Sequence, residues 1–352
     1  MVSVVLNTTP ATNSGFKYGL EVKNTELKQP NSDEAVVAIQ AAALNHRDVW
    51  ILKGQYPAIS PGSIIGADGV GIIQKITDGS FKTGTRVLIN PGRGWIKDSR
   101  GPEGGYLILG LLPCIGTLTE TVNVETEELV ACPDHLSTTE AAALPLAGLT
   151  AYRALFTKGK VQKGDHVLVT GIGGGVALFA LQFAVAIGAH VYVTSSSPEK
   201  IRKAIEIGAV GGVNYKDANC ISELKKLLNG NLLSAVIDGA GGPLYNQYAK
   251  VMRTGGIIVN YGQTTGGSGV NFSMVNVLKN IDLCGSTMGS RQEFKDMVAF
   301  VNQHKIKPIV SHVWQGLTEN SIHEAINTMR NGDQFGKLVL EINGSRPGTP
   351  KL

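Results

Sequence analysis

The hydrophobic residues in the first third of the chain fall into short clusters that glycine, proline and charged residues separate. Three clusters, at 35–39, 69–73 and 86–89, are rich in valine, leucine and isoleucine and have the length of β-strands. Short strands at this spacing, with turn residues between them, predict a barrel-like β domain. The pattern changes at Ser137–Glu140, where the S-x-x-E spacing of a capping box predicts a helix start and the crossing into a second domain.

Strand-like and helix-like segments alternate after Asp165. The predicted strands lie at 167–170, 190–194, 235–238 and 256–260, and the predicted helices at 175–187, 198–207 and 243–252. This alternation is typical of a doubly wound α/β fold, in which helices cover both faces of a parallel sheet. A helix at 291–304 and strand-like segments at 309–314 and 337–341 follow, and we expect this tail to rejoin the first domain.

One uncharged stretch, His166–Pro198, has the length of a membrane span. Its 33 residues include no Asp, Glu, Lys or Arg, and about 20 apolar residues suffice to cross a bilayer. Four glycines at 171–175, with β-branched residues before them and again at 191–194, do not suit a transmembrane helix. They suit a buried strand, a glycine turn, a helix that is apolar on all sides and a second buried strand. We therefore expect no membrane association.

The glycine turn at 171–175 predicts a dinucleotide site. Glycines let the backbone approach a pyrophosphate, and the helix N-terminus that follows offers free N–H groups. A glycine turn is also found as a plain connector between elements. The strand before it, the helix after it and the second strand some twenty residues later favour the binding site.

The end of the second strand indicates which dinucleotide binds. An NAD site carries an acidic residue there, which hydrogen-bonds the ribose hydroxyls. This chain has Thr194, Ser195 and Ser196 instead, with Lys200 shortly after them, and hydroxyls with an ammonium suit a phosphate. Glu199 is the one residue that argues for NAD, but an acid in the first turn of a helix is ordinary. The sequence therefore favours NADPH.

Charge and cysteine content exclude several other functions. The 32 basic and 28 acidic residues leave a net charge of +4 without a like-charged run, so nucleic-acid binding is not expected. The four cysteines are far apart, which suits neither a disulfide framework nor a CxxC site, and the start has no basic region of a signal peptide. We expect a cytoplasmic protein. The terminal Pro350–Leu352 is a poor match to the peroxisomal S-K-L address, which remains a minor alternative.

Several motifs occur in a familiar order along the chain. They are Ala43–Asp48, Gly54–Pro57, Gly66–Gly71, Gly148–Tyr152, Gly174–Ala177, Val213–Tyr215 and Phe335–Lys337. Together they resemble the medium-chain dehydrogenase/reductase superfamily, specifically its zinc-free branch near quinone oxidoreductases and enoyl reductases. The resemblance implies a GroES-like β-barrel catalytic domain at 1–132 and 306–352 and a Rossmann NADP-binding domain at 133–305. It also implies an active site in the cleft between them, and a homodimer.

The motifs depart from those of zinc alcohol dehydrogenases at the metal ligands. Asn45 stands where those enzymes have a zinc-binding cysteine, and Ala67 where they have the histidine of Gly-His-Glu. An amide and a methyl group do not replace a thiolate and an imidazole as ligands. The segment 91–116, where a structural zinc would sit, has only Cys114, so we expect no metal. Arg47 takes the place of the hydroxyl residue that relays the alcohol proton.

The absence of these ligands favours conjugate reduction. Without a Lewis acid, the alkoxide that forms from a ketone or aldehyde loses several kcal/mol of charge stabilisation. Hydride transfer to a quinone or to the β-carbon of an enone spreads the charge into a quinol or enolate that hydrogen-bond donors can hold. We expect an NADPH-dependent, zinc-independent reductase of a small apolar quinone or enone. A zinc-free alcohol or aldehyde oxidoreductase and a non-catalytic NADPH-binding protein are the alternatives.

The resemblance also implies roles for individual residues. Tyr56, in the Gly-x-Tyr-Pro motif, is the implied proton donor, although packing in a substrate-side loop is an alternative role. Asn45 is an implied donor near the nicotinamide, and Thr150 would bond its carboxamide. The residues expected to contact the cofactor are Asn45, Thr150, Gly171, Gly173, Gly174, Gly175, Val176, Ser195, Ser196, Lys200, Tyr215, Tyr261, Gly262 and Lys337.

Overall fold

The computed structural model describes residues 1–10, 14–242, 244–264 and 272–342. Its strands, in chain order, are β1 (Val2–Asn7), β2 (Gly19–Asn24), β3 (Glu34–Ala43), β4 (Asp68–Lys75), β5 (Arg86–Ile89), β6 (Gly92–Arg93), β7 (Leu107–Ile108), β8 (Thr121–Glu125), β9 (Leu129–Ala131), β10 (His166–Val169), β11 (His190–Ser195), β12 (Gly211–Asn214), β13 (Leu233–Asp238), β14 (Met252–Asn260), β15 (Asp282–Gly285), β16 (Val310–Gln315) and β17 (Lys337–Glu341).

The α-helices are α1 (His46–Leu52), α2 (Thr138–Ala143), α3 (Pro145–Tyr152), α4 (Gly175–Ala186), α5 (Pro198–Ile207), α6 (Cys220–Leu228), α7 (Tyr245–Tyr248), α8 (Met274–Leu278), α9 (Arg291–His304) and α10 (Glu319–Asn331). A 3₁₀ turn at Thr126–Glu128 precedes β9, and a π-helical turn at Arg153–Lys158 follows α3. The capping box predicted at Ser137 is present, because its hydroxyl accepts the N–H of Glu140 while the Glu140 carboxylate accepts the N–H of Ser137.

The chain forms two units, one of residues 1–146 with those from Ser290 onward, and one of Ala147–Gly289. The expected boundaries at 132/133 and 305/306 therefore lie inside the first unit. Helix α2 packs on β3, β4 and β17, and α9 begins at Arg291, whose guanidinium bonds the carboxylates of Glu127 and Glu128. Both helices thus belong to the β-rich unit, and these contacts were not readable from local sequence.

The first unit is built on a seven-stranded sheet. The strand order is β16-β17-β3-β4-β5-β9, with β8 paired to β3. All pairs are antiparallel except β16 with β17. This sheet confirms the predicted β domain, and β16 and β17 confirm that the tail rejoins it. Helix α10 was not among the predicted elements.

The second unit is a Rossmann-type sheet. Six parallel strands follow the order β12-β11-β10-β13-β14-β15. The uncharged stretch forms β10, α4 and β11, as predicted, and α4 buries seven apolar residues over its twelve. Within the described ranges, no helix combines the length and apolar character that a membrane crossing requires. The helix predicted at 243–252 shortens to α7, because Met252 pairs with Leu233 at the start of β14.

One carboxylate orders the segment between β6 and β7. Glu103 accepts the backbone N–H groups of Lys97, Ile96 and Asp98, each at 2.8 Å. These hydrogen bonds, that of Lys97 above all, lower the pKa of Glu103 to about 2. The segment belongs to the stretch 91–116, where zinc alcohol dehydrogenases would hold a structural zinc. Here a side chain of the chain itself fixes the loop.

The four cysteines, Cys114, Cys132, Cys220 and Cys284, are free thiols. Burial is the main cause that raises the pKa of each, to about 11 for Cys132, so all four are protonated near neutral pH. The terminal Pro350–Leu352, compared above with a peroxisomal address, lies outside the described residues.

Candidate active-site and cofactor-site residues

The turn between β10 and α4 is made of glycine for steric reasons. Gly171 has φ 63° and Gly173 has φ 122°, which side chains rarely adopt. A Cβ atom on Gly173 would lie 3.0 Å from Cδ and 3.5 Å from Nζ of Lys200. Gly174 is the N-cap of α4, and no side chain of the described residues caps it. The turn thus leaves the first N–H groups of α4 open to an anion, beside an ammonium.

Two neighbouring strands hold this turn in place. The N–H of Gly171 donates to Oγ1 of Thr194 at 3.1 Å, and the N–H of Ile172 donates to the Thr194 carbonyl at 2.9 Å. The hydroxyl of Thr170 donates to Oδ1 of Asp238 at 2.6 Å. The turn therefore lies at the carboxyl ends of β10, β11 and β13, the edge where parallel α/β sheets bind ligands. By accepting the Thr170 hydroxyl, Asp238 helps to hold this turn in place.

Hydroxyl groups gather after β11. The phenol of Tyr215 lies 3.4 Å from Oγ of Ser196, and both residues are accessible at the end of the strand. Ser195 is buried, and its Oγ accepts the N–H of Ser197. Ser197 in turn caps α5 by accepting the N–H of Lys200 at 3.3 Å. Ser196 and Tyr215 thus present the hydroxyls, while Ser195 shapes the turn.

Glu199, the acidic residue that argued for NAD, is paired with another side chain of its own helix. Its carboxylate forms an ion pair with Lys203 at 2.8 Å, one turn further along α5. The hydrogen bond and charge of Lys203 lower the pKa of Glu199, so the carboxylate is ionised. This i,i+4 pair supports reading Glu199 as an ordinary helix-surface residue.

Three other expected cofactor residues lie in the same unit. The hydroxyl of Thr150 donates to Sδ of Met288 at 3.7 Å, and a thioether sulfur is a weak acceptor. The ring of Tyr261 covers Gly239, where a Cβ would lie 2.5 Å from its atoms. Burial, reinforced by Asp238, raises the pKa of Tyr261, so its hydroxyl stays protonated. Gly262 follows directly, and its carbonyl accepts from Asn260.

The first unit contains a buried ammonium with three oxygen partners. Lys337 Nζ donates to Oδ1 of Asn45 at 2.6 Å, to Oδ2 of Asp68 at 2.8 Å and to the carbonyl of Leu44 at 2.8 Å. The amide Nδ2 of Asn45 donates to the same Asp68 oxygen at 2.9 Å, and Asp68 Oδ1 accepts the N–H of Leu146 at 2.6 Å. All three side chains are at least nine-tenths buried. The three N–H groups of the ammonium are therefore all used.

Strand pairing brings these residues together. Lys337 opens β17, Asp68 opens β4 and Asn45 follows β3, the strand between them. Ala43 at the end of β3 pairs with both Asp68 and Val339. Gly336 makes the entry into β17 feasible, because it has φ 123° and a Cβ there would lie 2.5 Å from the Ile309 carbonyl oxygen.

A second cation, the guanidinium of Arg47, lies buried in α1. Its Nη1 donates to the carbonyl of Leu109 at 2.8 Å, and its carbon lies 4.9 Å from the ring centroid of Tyr56. Within the described ranges, neither Nε nor Nη2 has a hydrogen-bond partner. Asp48 is 3.9 Å away, and burial raises the pKa of its carboxyl although Arg47 opposes the shift. Arg47 therefore keeps donors for which the described protein supplies no acceptor.

Tyr56 combines a packed ring with an open hydroxyl. The ring lies against Arg47 and the residue is half-buried, while its hydroxyl bonds no residue that the structure describes. A phenol in this state can donate to a ligand. Both roles considered for Tyr56, proton donor and packed loop residue, agree with this placement.

The hydrogen bonds of this centre bear on the expected cofactor contacts of Lys337 and Asn45. With three donors used inside its own unit, Lys337 has none for a cofactor phosphate. Asn45 keeps one N–H, because its oxygen and its other N–H are bonded to Lys337 and Asp68. The sequence shows the three motifs that contain Asn45, Asp68 and Lys337. It does not show that these side chains contact one another, because Asp68 and Lys337 are 269 positions apart. The occurrence of each residue in a motif was the one sequence signal that marked it as important.

The centre does not suit zinc. It offers an amide oxygen, a carboxylate and a backbone carbonyl, whereas zinc prefers thiolate and imidazole. The Lys337 ammonium already lies among these oxygens, and a divalent ion would have to displace it. Among the described residues, no group of three or more His, Cys, Asp or Glu side chains is arranged to hold a metal ion.

Comparison with known families matches both units. Residues 31–134 match the family described as alcohol dehydrogenase GroES-like domain, and residues 175–303 match the family described as zinc-binding dehydrogenase.

Individual relatives carry differing names. The chain is 42% identical over 341 residues to "Zinc-type alcohol dehydrogenase-like protein YogA" of Leptosphaeria maculans, covering 92% of this chain and 95% of that protein. It is 30% identical over 276 residues to "Quinone oxidoreductase" of Pseudomonas aeruginosa, covering 77% and 78%. The solved structure "Crystal Structure of NAD-dependent alcohol dehydrogenase" superposes with a TM-score of 0.87 at 32% identity, covering 97% of this chain and all of that one.

Proposed function

Because this chain belongs to the medium-chain dehydrogenase/reductase superfamily, we propose that it transfers hydride from NADPH, without zinc, to a quinone or to the activated C=C bond of an enone. That the chain is an oxidoreductase follows from its family. The observation that supports the finer proposal is the ammonium of Lys337 among Asn45, Asp68 and the Leu44 carbonyl. Because the ammonium already lies among these oxygens, this observation supports a reaction that relies on hydrogen-bond donors in place of a Lewis acid.

This donor set suits conjugate reduction. NADPH, when bound, supplies a hydride. As that hydride joins the β-carbon of an enone, the C=C electron pair shifts and negative charge builds on the carbonyl oxygen, after which one proton completes the saturated ketone. Three groups have donors that no described residue accepts: the amide of Asn45, the guanidinium of Arg47 and the hydroxyl of Tyr56. They can donate to such charge. An aldehyde concentrates the charge on one alkoxide, for which a metal is worth several kcal/mol.

The names of the relatives support two of three candidate functions. Similarity to a quinone oxidoreductase favours the first, reduction of quinones. The name "Zinc-type alcohol dehydrogenase-like protein" and the superposed alcohol dehydrogenase favour the second candidate, a zinc-free alcohol or aldehyde oxidoreductase. The third candidate function is binding of NADPH without turnover.

A substrate panel separates these candidates. We expect NADPH oxidation after exhaustive dialysis against a chelator, with kcat/KM for small quinones and enones at least about tenfold above that for aldehydes of similar size, a difference of about 1.4 kcal/mol in the barrier. Spectrophotometric assays at 340 nm measure it. Faster turnover of aldehydes, or activity that returns only with added Zn²⁺, would contradict the proposal, and binding without any turnover would support the third candidate.

The choice of NADPH depends on the end of β11. Lys200 lies beside the glycine turn, Ser196 and Tyr215 present hydroxyls, and Glu199 is paired with Lys203. A phosphate on the adenosine ribose would gain a charge-assisted contact with Lys200. The superposed alcohol dehydrogenase is named NAD-dependent, so the preference needs a direct test.

Substitution of Lys200 provides that test. We expect Lys200→Ala to raise the Kd for NADPH about ten- to a hundredfold, because a charge-assisted hydrogen bond is worth roughly 1.5–3 kcal/mol. The Kd for NADH should change little. Fluorescence titration measures both, and Lys203→Ala, on the same helix but paired with Glu199, is the matched control. Equal losses for the two cofactors would refute the phosphate contact.

Tyr56 is the proposed proton donor, and removal of its hydroxyl tests this role. We expect Tyr56→Phe to lower kcat for an enone about 10²-fold or more, the usual contribution of a positioned general acid, while the ring keeps its contact with Arg47. Thermal unfolding should change little. A loss of less than a few-fold in steady-state turnover would show that another group or water supplies the proton.

An exposed apolar patch supports the expected homodimer. In the second unit, α8 exposes Met274, Val275, Val277 and Leu278 by 47–73%. Strand β15 ends the strand order of the sheet and, among the described residues, pairs only with β14. Open strand edges and apolar patches of this kind are association surfaces. We propose that a second copy of the chain covers them.

Introducing two carboxylates into this patch tests the proposed dimer. We expect sedimentation velocity to give the mass of two chains for the native protein and of one chain for Val277→Asp/Leu278→Asp, because burying two carboxylates costs more than the apolar contact gains. Val210→Asp, equally exposed next to β12 at the opposite edge of the sheet, should remain dimeric. A native monomer, or a dimer that survives the double substitution, would disprove this interface.

A further inference from the structure

We propose that the ammonium of Lys337 is a tethered cation that orients the Asn45 amide, so that its one remaining N–H donates to the carbonyl oxygen of the substrate. Lys337 and Asp68 are then positioning residues, and Asn45 is the catalytic donor. The proposal extends the function proposed above and depends on it for the identity of the substrate. It also assigns the lysine of the Phe335–Lys337 motif to the substrate centre.

The chemistry of the partners determines which way the amide faces. An ammonium has only donors, so the atom of Asn45 that lies 2.6 Å from Lys337 must be the oxygen. The carboxylate of Asp68 has only acceptors, so the atom 2.9 Å from it must be the amide nitrogen. A flipped amide would set NH₂ against NH₃⁺ and oxygen against carboxylate. The pair of opposite charges therefore locks the amide in one orientation.

This locked orientation leaves one N–H of Asn45 without a partner among the described residues. The amide nitrogen has two hydrogens, and Asp68 takes one of them. Among the residues that the structure describes, the amide nitrogen of Asn45 donates to Asp68 and to no other. A buried N–H that is held in place and unpaired is the kind of donor that stabilises a developing oxyanion, because it requires no reorganisation when charge appears.

The network is complete only with all three side chains. Asp68 neutralises the charge of Lys337 and is itself held by the N–H of Leu146. Without Lys337, the Asn45 oxygen would lose its donor and the amide could rotate. Without Asp68, the ammonium would be buried without a counter-charge, a state that strongly destabilises folded proteins. Lys337→Met is therefore the informative change, since it removes the charge but keeps most of the side-chain volume.

A double-mutant cycle tests whether Lys337 acts through Asn45. We expect Lys337→Met and Asn45→Ala each to lower kcat for an enone or quinone about 10- to 100-fold, with the Kd for NADPH unchanged within about threefold. The variant with both changes should be no slower than Asn45→Ala alone, because the two residues form one unit. Lys75→Met, the same substitution at an exposed position of β4, is the control.

Two results would overturn the proposal. Losses that multiply in the double variant would show that Lys337 acts independently of Asn45. A weaker Kd for NADPH with kcat intact would return Lys337 to the cofactor site. If Lys337→Met does not fold, Lys337→Met/Asp68→Asn removes both charges and keeps an oxygen for the Leu146 N–H, and the same kcat loss is expected of it.

Chemical rescue supplies a readout that needs no turnover. Lys337→Ala leaves a space beside Asp68, Asn45 and the Leu44 carbonyl that fits a small alkylammonium. We expect ethylammonium or propylammonium to raise the Tm of this variant by about 2–5 °C, and to leave the native protein and Lys75→Ala unchanged. Equal shifts in all three proteins, or none in Lys337→Ala, would refute the cation site. Failure of the substrate panel with successful rescue would instead refute the proposed function alone.

Discussion

The buried ammonium of Lys337 constrains the sheet of the first unit. Burying an ion costs several kcal/mol unless its hydrogens are all bonded and its charge is balanced. Asp68, Asn45 and the Leu44 carbonyl meet that requirement together. The sheet must therefore place β17, β3 and β4 side by side in one register, with Gly336 allowing Lys337 to enter its strand.

The second unit solves a different problem, which is to bring a backbone close to a phosphate. Side chains would obstruct that approach, so glycines with positive φ form the turn and the first N–H groups of α4 face outward from it. The side chain of Lys200 uses the space that a Cβ on Gly173 would fill. The positive charge thus lies beside the turn because the glycine is there.

A tethered cation differs from a bound metal in what it can do. A metal coordinates a substrate oxygen directly and withdraws charge from it. The three hydrogens of Lys337 all bond protein oxygens. In our proposal, Lys337 therefore affects a substrate only by orienting the residues it bonds. In our proposal, this is why the centre suits acceptors that delocalise charge, while the fold matches that of relatives with zinc in their names. The carboxylate of Glu103 is comparable, since it orders a loop that would hold a structural zinc in zinc enzymes.

The sequence by itself determined the elements whose signals lie within a few residues. The strand at 86–89, the helices at 198–207 and 291–304 and the capping box at Ser137 have the predicted bounds, because apolar periodicity and caps act locally. It also identified the glycine turn and the hydroxyls after β11. Helix α10, the short α7 and the unit boundaries escaped it, since packing and strand pairing decide them.

Only the tertiary structure decided which side chains Lys337, Asn45 and Asp68 bond. Each belongs to a recognisable motif, but its hydrogen-bond partners in this centre lie 23 to 292 positions away along the chain. Hydrogen bonds extend about 3 Å, and a one-dimensional pattern does not show which distant residues come that close. The pairing of β17 with β3, and of β3 with β4, brings the three side chains within that distance.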